Sequence, residues 1–422
     1  MDIQELRREA QTMQPQLTAD RRRLHRNPEA GAVLPETVAY VKGRLTEMGY
    51  HPQELGGGLT ATVTGTDTGR CILLRADMDA LRGQEQSGLS FRSENGCMHA
   101  CGHDMHTAML LGAAKLLMDN KDKVKGRVKF MFQPGEEGYK GALHMVEAGL
   151  LENPHVDAAL GMHSQSASDY PTGTIMHTTG PSAASADGFK VIVHGKGAHG
   201  ARPEDGIDPV NILAHILIAL QTINSRERNQ KEPLILTIGQ LIAGTAENII
   251  PNDGYLTGTI RAFNQEVRVH AKRRLEEISK GIAATFGATA EIQWYTEFAP
   301  TINDRALMAE LDGYVRELLG DDRVKITEPQ MGSESFSQYL KQWPGVFGLL
   351  GVHNPEKGTG AANHNEAFDV DEAALKYGAA AHVKYAVEFL RSDFQTTHQE
   401  KLTFQELLKR QGRNADLEEL YQ

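Results

Sequence analysis

The stretch CMHACGHDMH, Cys97 to His106, holds five Cys or His side chains in ten residues. Thiolates and imidazoles are the side chains that bind zinc and other transition metals. A structural zinc site usually takes two short ligand pairs separated by a dozen or more residues, so this cluster is too compact to enclose an ion alone. Cys101 and His103 would point the same way on an extended segment. We therefore expect them to share one site with ligands from elsewhere. Cys97 and His99 are alternatives, although they precede the turn, and His106 is expected to open a helix.

Candidates for the other ligands lie at three further places in the chain. FQPGEEG puts Glu136 and Glu137 on a turn after an apolar strand run. Adjacent side chains on a turn diverge, so one carboxylate can bind a metal while the other faces the water that the metal activates. His163 ends the strand-like segment DAALGMH, and His364 precedes a helix in AANHNEAFDVDE. Together these residues favour a catalytic centre, in which a carboxylate could bridge two ions. The alternative is a solvated acidic turn beside buried structural Cys and His.

The elements that must position these residues alternate between strand and helix patterns. The apolar runs in RCILLRAD, GRVKFMFQ and DAALGMH are typical of buried parallel strands, and HTAMLLGAAKLLMDN has helical spacing. The pattern predicts an α/β fold with a mainly parallel sheet and helices on both faces. In such sheets ligands bind beyond the carboxyl ends of the strands, where RADMD, PGEE and GMH fall.

The pattern changes near Asp187. Strands and helices then follow in the order βαββαβ, which is typical of a ferredoxin-like domain. Asp208 is expected to cap the first of these helices, and Gly287 to end the second. We therefore predict an α/β domain in two parts, 1–185 and 299–422, interrupted by an inserted ferredoxin-like domain, 186–298. The charged tail beyond Ser392 has helical spacing and belongs to the second part.

Composition excludes several classes of protein. The 422 residues carry a formal net charge of -11, and the pI is about 5.9, which argues against a nucleic-acid-binding protein. Three cysteines are too few for a disulfide framework, and no secretory signal or apolar run of about 18 residues is present. We expect a protein with no membrane span, located in the reducing cytoplasm.

Taken in order, a set of motifs resembles the M20 metallopeptidase/amidohydrolase family, in its N-acyl-amino-acid (hippurate-type) amidohydrolase branch. The motifs are LLRADMDAL, MHACGHDMHTAMLLGAA, FMFQPGEEG, GMH, GKGAHGARPEDGIDP, ENIIPN, GTIRAF, MGSESF and HNEAFDVDE. They cover roughly residues 20 to 390. The resemblance implies a catalytic α/β domain with an inserted domain that serves as lid and dimerisation module.

The resemblance also implies a role for each matching residue. Two divalent metal ions per subunit are expected, each of them zinc, manganese, cobalt or nickel. Glu136 would be the general base for a metal-activated water, and Asp79 would orient a ligating imidazole. The implied metal ligands are Cys101, His103, Glu137, His163 and His364.

Three residues of the inserted domain are similar to those that meet substrate. His199 would polarise the scissile carbonyl, Asn248 would donate a hydrogen bond, and Arg261 would pair with a substrate carboxylate. Two positions depart from the family pattern: Arg82 follows DAL where Pro is usual, and Ser335 stands where Asp is common.

The implied activity is hydrolysis of the amide bond of N-acyl-amino acids or similar small-molecule conjugates. A dipeptidase or carboxypeptidase with the same chemistry is one alternative, and a non-catalytic metal-binding relative is another. The apolar segments GYLTGTIRAF and DPVNILAHILIALQTIN of the inserted domain favour a homodimer interface. The resemblance implies that His199 reaches the active site of the neighbouring subunit.

Overall fold

The computed structural model describes residues 1–138, 141–166, 170–340 and 343–394. The chain forms two compact units. Unit 1 comprises Met1–Gly180, Ile302–Glu328 and the described residues from Gln338 on, and unit 2 comprises Pro181–Thr301 and Pro329–Ser337. From residue 395 on, the predicted charged tail lies outside the described residues. No helix in the described part of the chain is long and apolar enough to span a membrane.

Helices and strands are numbered in chain order. The helices are α1 (Ile3–Arg26), α2 (Pro35–Glu47), α3 (His103–Asp119), α4 (Gly141–Glu147), α5 (Pro209–Thr222), α6 (Gln265–Thr285), α7 (Arg305–Leu319), α8 (Ser337–Leu340) and α9 (Leu375–Arg391). The strands are β1 (Gln53–Leu55), β2 (Gly58–Thr64), β3 (Cys71–Asp77), β4 (Leu81–Arg82), β5 (Cys97–Met98), β6 (Arg127–Gln133), β7 (Ala158–Gln165), β8 (Ile175–His177), β9 (Pro181–Ala183), β10 (Ala186–His194), β11 (Ala198–His199), β12 (Leu234–Ala243), β13 (Ile249–Ile250), β14 (Asp253–Ala262), β15 (Thr289–Phe298), β16 (Thr301–Ile302), β17 (Val324–Ile326) and β18 (Gly345–Gly351).

Unit 1 is built on a large sheet with the strand order β1–β2–β6–β3–β7–β18–β8–β17. Its central strands β6, β3, β7 and β18 run parallel, and antiparallel pairs occur toward the edges. All seven residues of β3 are buried, as expected for a parallel strand that is covered on both faces. The predicted mainly parallel α/β fold is therefore confirmed.

Apolar side chains pack on both faces of this sheet. Ile72 and Leu74 of β3 join Phe130 of β6 in the main core, which also takes residues from α1, α2, α3, α7 and α9. The alternate residues Leu73 and Met131 are equally buried on the opposite face, where α4 packs against β6. Because β3, β6 and β7 are parallel, their carboxyl ends meet at one edge, and the segments that follow them are brought together there.

Unit 2 has the predicted ferredoxin-like order, β10–α5–β12–β14–α6–β15, and its sheet runs β12–β14–β10–β15. All three strand pairs are antiparallel. Asp208 caps α5 as expected, because its side chain accepts the backbone N–H of Val210 at 2.9 Å. The fully buried carboxylate of Asp187, on β10, accepts two hydrogen bonds from Arg268 of α6, each 2.7 Å long. The inserted unit therefore has its own core and its own buried ion pair.

Candidate metal centre

The start of α3 places the first two candidate ligands. Gly102 precedes the helix with φ +84°, and a Cβ there would lie 2.2 Å from Oγ of Ser164. A left-handed residue in close contact with a neighbouring strand favours glycine. Helix α3 then begins at His103, earlier than expected from the sequence. The prediction that Cys101 and His103 share an extended segment is therefore wrong: a tight turn brings them together, and His106 lies in the first turn of the helix.

Cys101 and His103 meet His163 at the end of β7. Sγ of Cys101 lies 3.4 Å from Nε2 of His163. The rings of His103 and His163 meet edge to face with centroids 5.9 Å apart. Cys97 lies instead on β5, where it pairs with Arg82 of β4. The first two predicted ligands therefore lie together with His163, and Cys97 does not join them.

Backbone carbonyls fix the orientation of both imidazoles. Nδ1 of His103 donates to the carbonyl of Asp79 at 2.8 Å, and Nδ1 of His163 donates to the carbonyl of Ser164 at 2.8 Å. A carbonyl can only accept, so in the neutral form of either ring the proton is on Nδ1 and the lone pair is on Nε2. Second-shell partners usually hold metal-ligating histidines in this way.

Glu137 and His364 complete the cluster of predicted ligands. Oε1 of Glu137 lies 3.9 Å from Nε2 of His103 and 3.3 Å from Nε2 of His364. Ligand atoms of Cys101, Glu137 and His364 all lie within 4.8 Å of one another. His364 adopts φ +69°, and its backbone N–H donates to the carbonyl of Ala100 at 2.7 Å. The loop that carries it is therefore tied directly to the turn that carries Cys101.

The buried carboxylate of Glu136 lies beside these ligands, and one of its oxygens is within 4.8 Å of ligand atoms of His103 and Glu137. The turn that carries it is held by Asp79, whose two carboxylate oxygens accept the backbone N–H groups of Glu136 at 2.9 Å and Glu137 at 3.0 Å. Asp79 also contacts the His103 imidazole, with its main-chain carbonyl 2.8 Å and its Oδ1 3.4 Å from Nδ1. The expectation that Asp79 orients a ligating imidazole agrees with these contacts and stays a prediction.

Two further residues, Asp77 and His106, lie in the same cluster but were not among the predicted site residues. Oδ2 of Asp77 is 3.6 Å from Nε2 of His103. Nδ1 of His106 contacts Oδ1 of Asp77 at 2.6 Å, and its Nε2 accepts the backbone N–H of Ser164 at 2.7 Å. Both ring nitrogens of His106 therefore have protein partners, and the residue links Asp77 to the end of β7 rather than acting as a metal ligand. The i, i+3 spacing of His103 and His106 on one helix face was the available signal.

The charges of the cluster favour a thiolate and a carboxylate as ligands. Burial raises the pKa of the Cys101 thiol, but the imidazoles of His163 and His103 outweigh it and bring the pKa to about 6. Burial also raises the pKa of Glu137, and the imidazoles of His364 and His103 again lower it below its usual range. In contrast, burial lowers the pKa of His106 to about 3, so this ring is neutral.

The donor set fits divalent metal ions. Nε2 of His103 is buried and has no hydrogen-bond partner among the described residues. Oε1 of Glu137 lies between two imidazoles, 3.3 Å from Nε2 of His364 and 3.9 Å from Nε2 of His103, whereas Oδ2 of Asp77 is already ion-paired with Arg75 at 3.0 Å. A buried polar atom without a partner is costly, and a cation bound between His103 and Glu137 would satisfy the lone pair of His103. One thiolate, three imidazoles and one carboxylate suit borderline ions such as zinc, manganese, cobalt or nickel. The cluster therefore has the chemistry of a metal centre.

The three predicted substrate-contacting residues belong to unit 2. His199 is exposed on β11, and Nδ1 of its ring accepts the backbone N–H of Ala201 at 3.0 Å. Asn248 is exposed next to it, with its carbonyl accepting the N–H of Gly200 at 2.8 Å. Arg261 lies on β14, opposite Ile235 of β12. Its half-buried guanidinium has no hydrogen-bond or ion-pair partner among the described residues.

Comparisons with known proteins agree with this geometry. The family model described as Peptidase family M20/M25/M40 matches residues 73–388. Thermostable carboxypeptidase 2 of Saccharolobus solfataricus is 38% identical over 394 residues, which cover 92% of this chain and 98% of that protein. N-acetyl-L-cysteine deacetylase of Bacillus subtilis is 39% identical over 369 residues, 86% of each chain. The structure of the Bacillus subtilis YXEP protein, described as a dinuclear metal binding peptidase from the M20 family, matches with a TM-score of 0.78 and 33% identity, covering 90% of this chain and 99% of that one. The chain therefore belongs to peptidase family M20/M25/M40, a family of metal-dependent amidohydrolases and peptidases.

Proposed function

We propose that this enzyme hydrolyses the amide bond of N-acyl-amino acids, with Glu136 as the general base. The observation that carries the proposal is the position of the buried Glu136 carboxylate within 4.8 Å of ligand atoms of His103 and Glu137, in a cluster of metal-binding side chains. The residues proposed to hold two divalent ions per subunit are Cys101, His103, Glu137, His163 and His364.

Ions held there would act as Lewis acids toward the scissile amide. Glu136 accepts a proton from the attacking water and returns it to the leaving amine. Asp79 keeps that carboxylate in place by holding the backbone of the turn at two points. The low pKa of Cys101 keeps the thiolate available to the metal near neutral pH. A thiolate ligand also suits the reducing cytoplasm, which we propose as the location.

Replacing Glu136 by Gln tests the assignment of the base. Glu136→Gln should retain the metal content of the parent and lose about 100- to 10,000-fold in kcat, the usual contribution of a general base. The matched control is Glu137→Gln, which changes the adjacent carboxylate on the same turn and should instead lower the metal content. Unchanged turnover in Glu136→Gln would remove the proposed role.

Arg261 is proposed to bind the free carboxylate of the amino-acid half of the substrate. The half-buried guanidinium has no partner among the described residues. It can bind a substrate carboxylate, because its planar fork can donate two parallel hydrogen bonds to the two carboxylate oxygens. Asn248 is proposed to donate a further hydrogen bond. With one end of the substrate fixed in this way, the scissile amide is oriented before reaction.

Cleavage of short peptides from the carboxyl end is the second candidate function. It is favoured by the identity of 38% to a thermostable carboxypeptidase, which nearly equals the identity of 39% to a deacetylase. A panel of N-acetyl- and N-benzoyl-amino acids and matched dipeptides, each assayed with zinc, manganese, cobalt and nickel, separates the two. A higher kcat/KM for dipeptides across the panel would favour the peptidase.

A homodimer through unit 2 is also proposed. Val210, Ala214 and Ile218 recur every four residues along α5 and are all exposed, Ile218 by 68%. They form an apolar stripe that a single unit leaves uncovered. Strand β12 is an edge of its sheet and exposes Leu241 and Ile242, and an unpaired edge of this kind favours pairing with another chain.

Substitutions in this surface test the dimer. Ile218→Lys should convert the protein to a monomer in sedimentation at micromolar concentration. The control is Ile326→Lys, which changes a comparably exposed isoleucine (64%) of unit 1 and should leave the dimer intact. A parent protein that sediments as a monomer and is fully active would contradict the proposal.

Mixed dimers test whether His199 acts in the neighbouring subunit. His199→Ala and Glu136→Gln should each be inactive alone. If His199 serves the partner subunit, a heterodimer of the two variants contains one site with both residues intact, and mixing restores activity. If His199 serves its own subunit, no intact site forms, and the mixture stays inactive.

A further inference from the structure

Two buried cations of α1 lie one turn apart beneath the metal centre. Arg21 and His25 are only 1% and 2% exposed. They belong to the stretch RRRLHRNPE, to which the proposed catalytic scheme gives no role. Charged side chains are rarely buried to this degree unless they are paired. Their partners therefore indicate what the two cations do.

Arg21 contacts carboxylates from two distant parts of the chain. Its Nε donates to Oδ2 of Asp104 at 3.1 Å. Its two terminal nitrogens donate to Oδ1 of Asp369 at 3.0 Å and to Oε1 of Glu372 at 3.1 Å. One planar guanidinium therefore binds three carboxylates at once, which a lysine ammonium at the same place could not do with the same geometry.

His25 joins the same aspartate to a third segment. Its Nδ1 lies 2.8 Å from Oδ2 of Asp104, and its Nε2 lies 3.0 Å from Oε1 of Glu85. With a carboxylate at each nitrogen, the ring is held as an imidazolium that donates to both. Oε2 of Glu85 in turn accepts the backbone N–H of Ser93 at 2.7 Å, so this contact fixes the loop between β4 and β5.

These carboxylates are close in the chain to proposed metal ligands. Asp104 directly follows His103 in the first turn of α3, and Asp369 lies in the segment that follows His364. The first turn of α3 and the segment before α9 lie on opposite sides of unit 2 in the sequence, and Arg21 binds both. Replacing Arg21 or His25 by a neutral residue leaves the charge of the buried Asp104 incompletely compensated. This loss lowers the stability of the protein more than the loss of an exposed ion pair would.

We propose that Arg21 and His25 are positioning residues for the metal centre: through Asp104 and Asp369 they fix the segments that carry His103 and His364 relative to each other. The inference rests on the proposed function for the identity of the metal ligands. It goes beyond the proposed function because it gives α1, a helix that supplies no ligand, a role in fixing the positions of the ligands.

The test uses Co²⁺ alone as the probe, since its visible absorption and its thiolate charge-transfer band report the coordination geometry. The variants are Arg21→Gln, Arg21→Lys and His25→Gln. The matched control is Arg22→Gln. Arg22 also binds Glu372, with Nη2 to Oε2 at 2.6 Å, but its side chain is 48% exposed, and its ion pairs within the described part of the chain do not include Asp104. Chelator competition measures Co²⁺ affinity, and urea unfolding of the metal-free protein measures stability.

Arg21→Gln and His25→Gln should each lower Co²⁺ affinity about 10- to 100-fold and change the absorption spectrum, as loss of an outer-shell partner does. Arg21→Lys should recover only part of this loss, and Arg22→Gln should match the parent. If Arg21→Gln does not fold, His25→Gln and Arg21→Lys carry the comparison. Parental affinity and spectrum in folded variants, with only their stability reduced, would overturn the proposal.

A Cys101→Ala variant separates this result from failure of the proposed function. If Cys101→Ala binds Co²⁺ with the affinity and spectrum of the parent, the proposed ligand set is wrong, and the positioning role falls with it. If Cys101→Ala loses the thiolate band while Arg21→Gln and His25→Gln keep the parental spectrum and affinity, the ligand set stands and only the positioning role is rejected.

Discussion

The main-chain carbonyl of Asp79 accepts a hydrogen bond from Nδ1 of His103 at 2.8 Å. This contact turns Nε2 of His103 toward the cluster, and Oδ1 of the Asp79 carboxylate lies further from the same Nδ1, at 3.4 Å. The carboxylate makes its shorter contacts with the N–H groups of Glu136 and Glu137, which it accepts at 2.9 and 3.0 Å. One residue thus orients a proposed ligand through its backbone and the proposed base through its side chain.

Asp79→Asn is therefore expected to damage catalysis more than metal binding. An amide offers N–H groups to one of the two backbone donors, so one hydrogen bond to the turn is lost, while the carbonyl of residue 79 still holds His103. We expect kcat to fall about 10- to 100-fold with metal content near that of the parent, measured by steady-state kinetics and elemental analysis. A parallel loss of metal would show that the carboxylate is needed to orient His103.

His106 and His163 should respond differently to substitution. His163→Ala removes a proposed ligand and should lower the metal content per subunit. His106→Asn should retain the metal but leave Asp77 and Ser164 with fewer partners, and we expect about 1–3 kcal/mol less free energy of unfolding in the metal-free protein. Elemental analysis and urea unfolding of both variants check this. Metal loss in His106→Asn equal to that in His163→Ala would make His106 a ligand.

Arg261→Lys keeps the positive charge but loses the planar fork. Catalytic efficiency on free-acid substrates should fall at least about tenfold, or roughly 1.4 kcal/mol of transition-state stabilisation. Substrates with an amidated carboxyl end should be poor for the parent enzyme, and the variant should discriminate less against them. If kcat/KM is equal for amidated and free-acid substrates, Arg261 does not bind the carboxylate.

The contribution of His25 to stability should depend on pH. Burial lowers its pKa, but hydrogen bonds to Asp104 and Glu85 raise it from 6.5 to about 9, against the opposing charge of Arg21. A group whose pKa is raised on folding stabilises the protein fully below its unfolded pKa and loses that contribution as pH rises through the folded value. The destabilisation caused by His25→Gln should therefore be constant below about pH 6.5 and shrink toward about pH 9. Urea unfolding of metal-free parent and variant across this range measures it, and a pH-independent difference would contradict the assignment.

Much of the candidate centre was predictable because its residues follow strands whose apolar runs are unmistakable. HSQ at the end of β7 and PGEE after β6 lie at one sheet edge because the strands are parallel, so His163 and Glu137 could be brought together from pattern alone. The inserted unit was equally visible, since Asp208 and Gly287 mark helix ends by the backbone conformations they favour.

Other parts could not be read from the sequence for physical reasons. The turn between Cys101 and His103 depends on a positive φ at Gly102 that is set by packing against Ser164. Helix α1 resembles any charged surface helix in sequence, because the partners that bury Arg21 are far along the chain. Strands β8 and β17 have three residues each, too few for a periodic pattern.

The order of the ligands along the chain has a consequence for biosynthesis. Cys101 and His364 lie on opposite sides of unit 2 in the sequence, and β18, which pairs with β7, also follows that unit. The set of proposed ligands can therefore be complete only after unit 2 and β18 have been translated and β18 has paired with β7. Contacts between residues that are far apart in the sequence form slowly. Small zinc modules fold around their ion. Here metal acquisition should be a late event, performed by a scaffold that is already assembled, and a nascent chain stalled before β18 would carry four of the five proposed ligands with nothing to complete them.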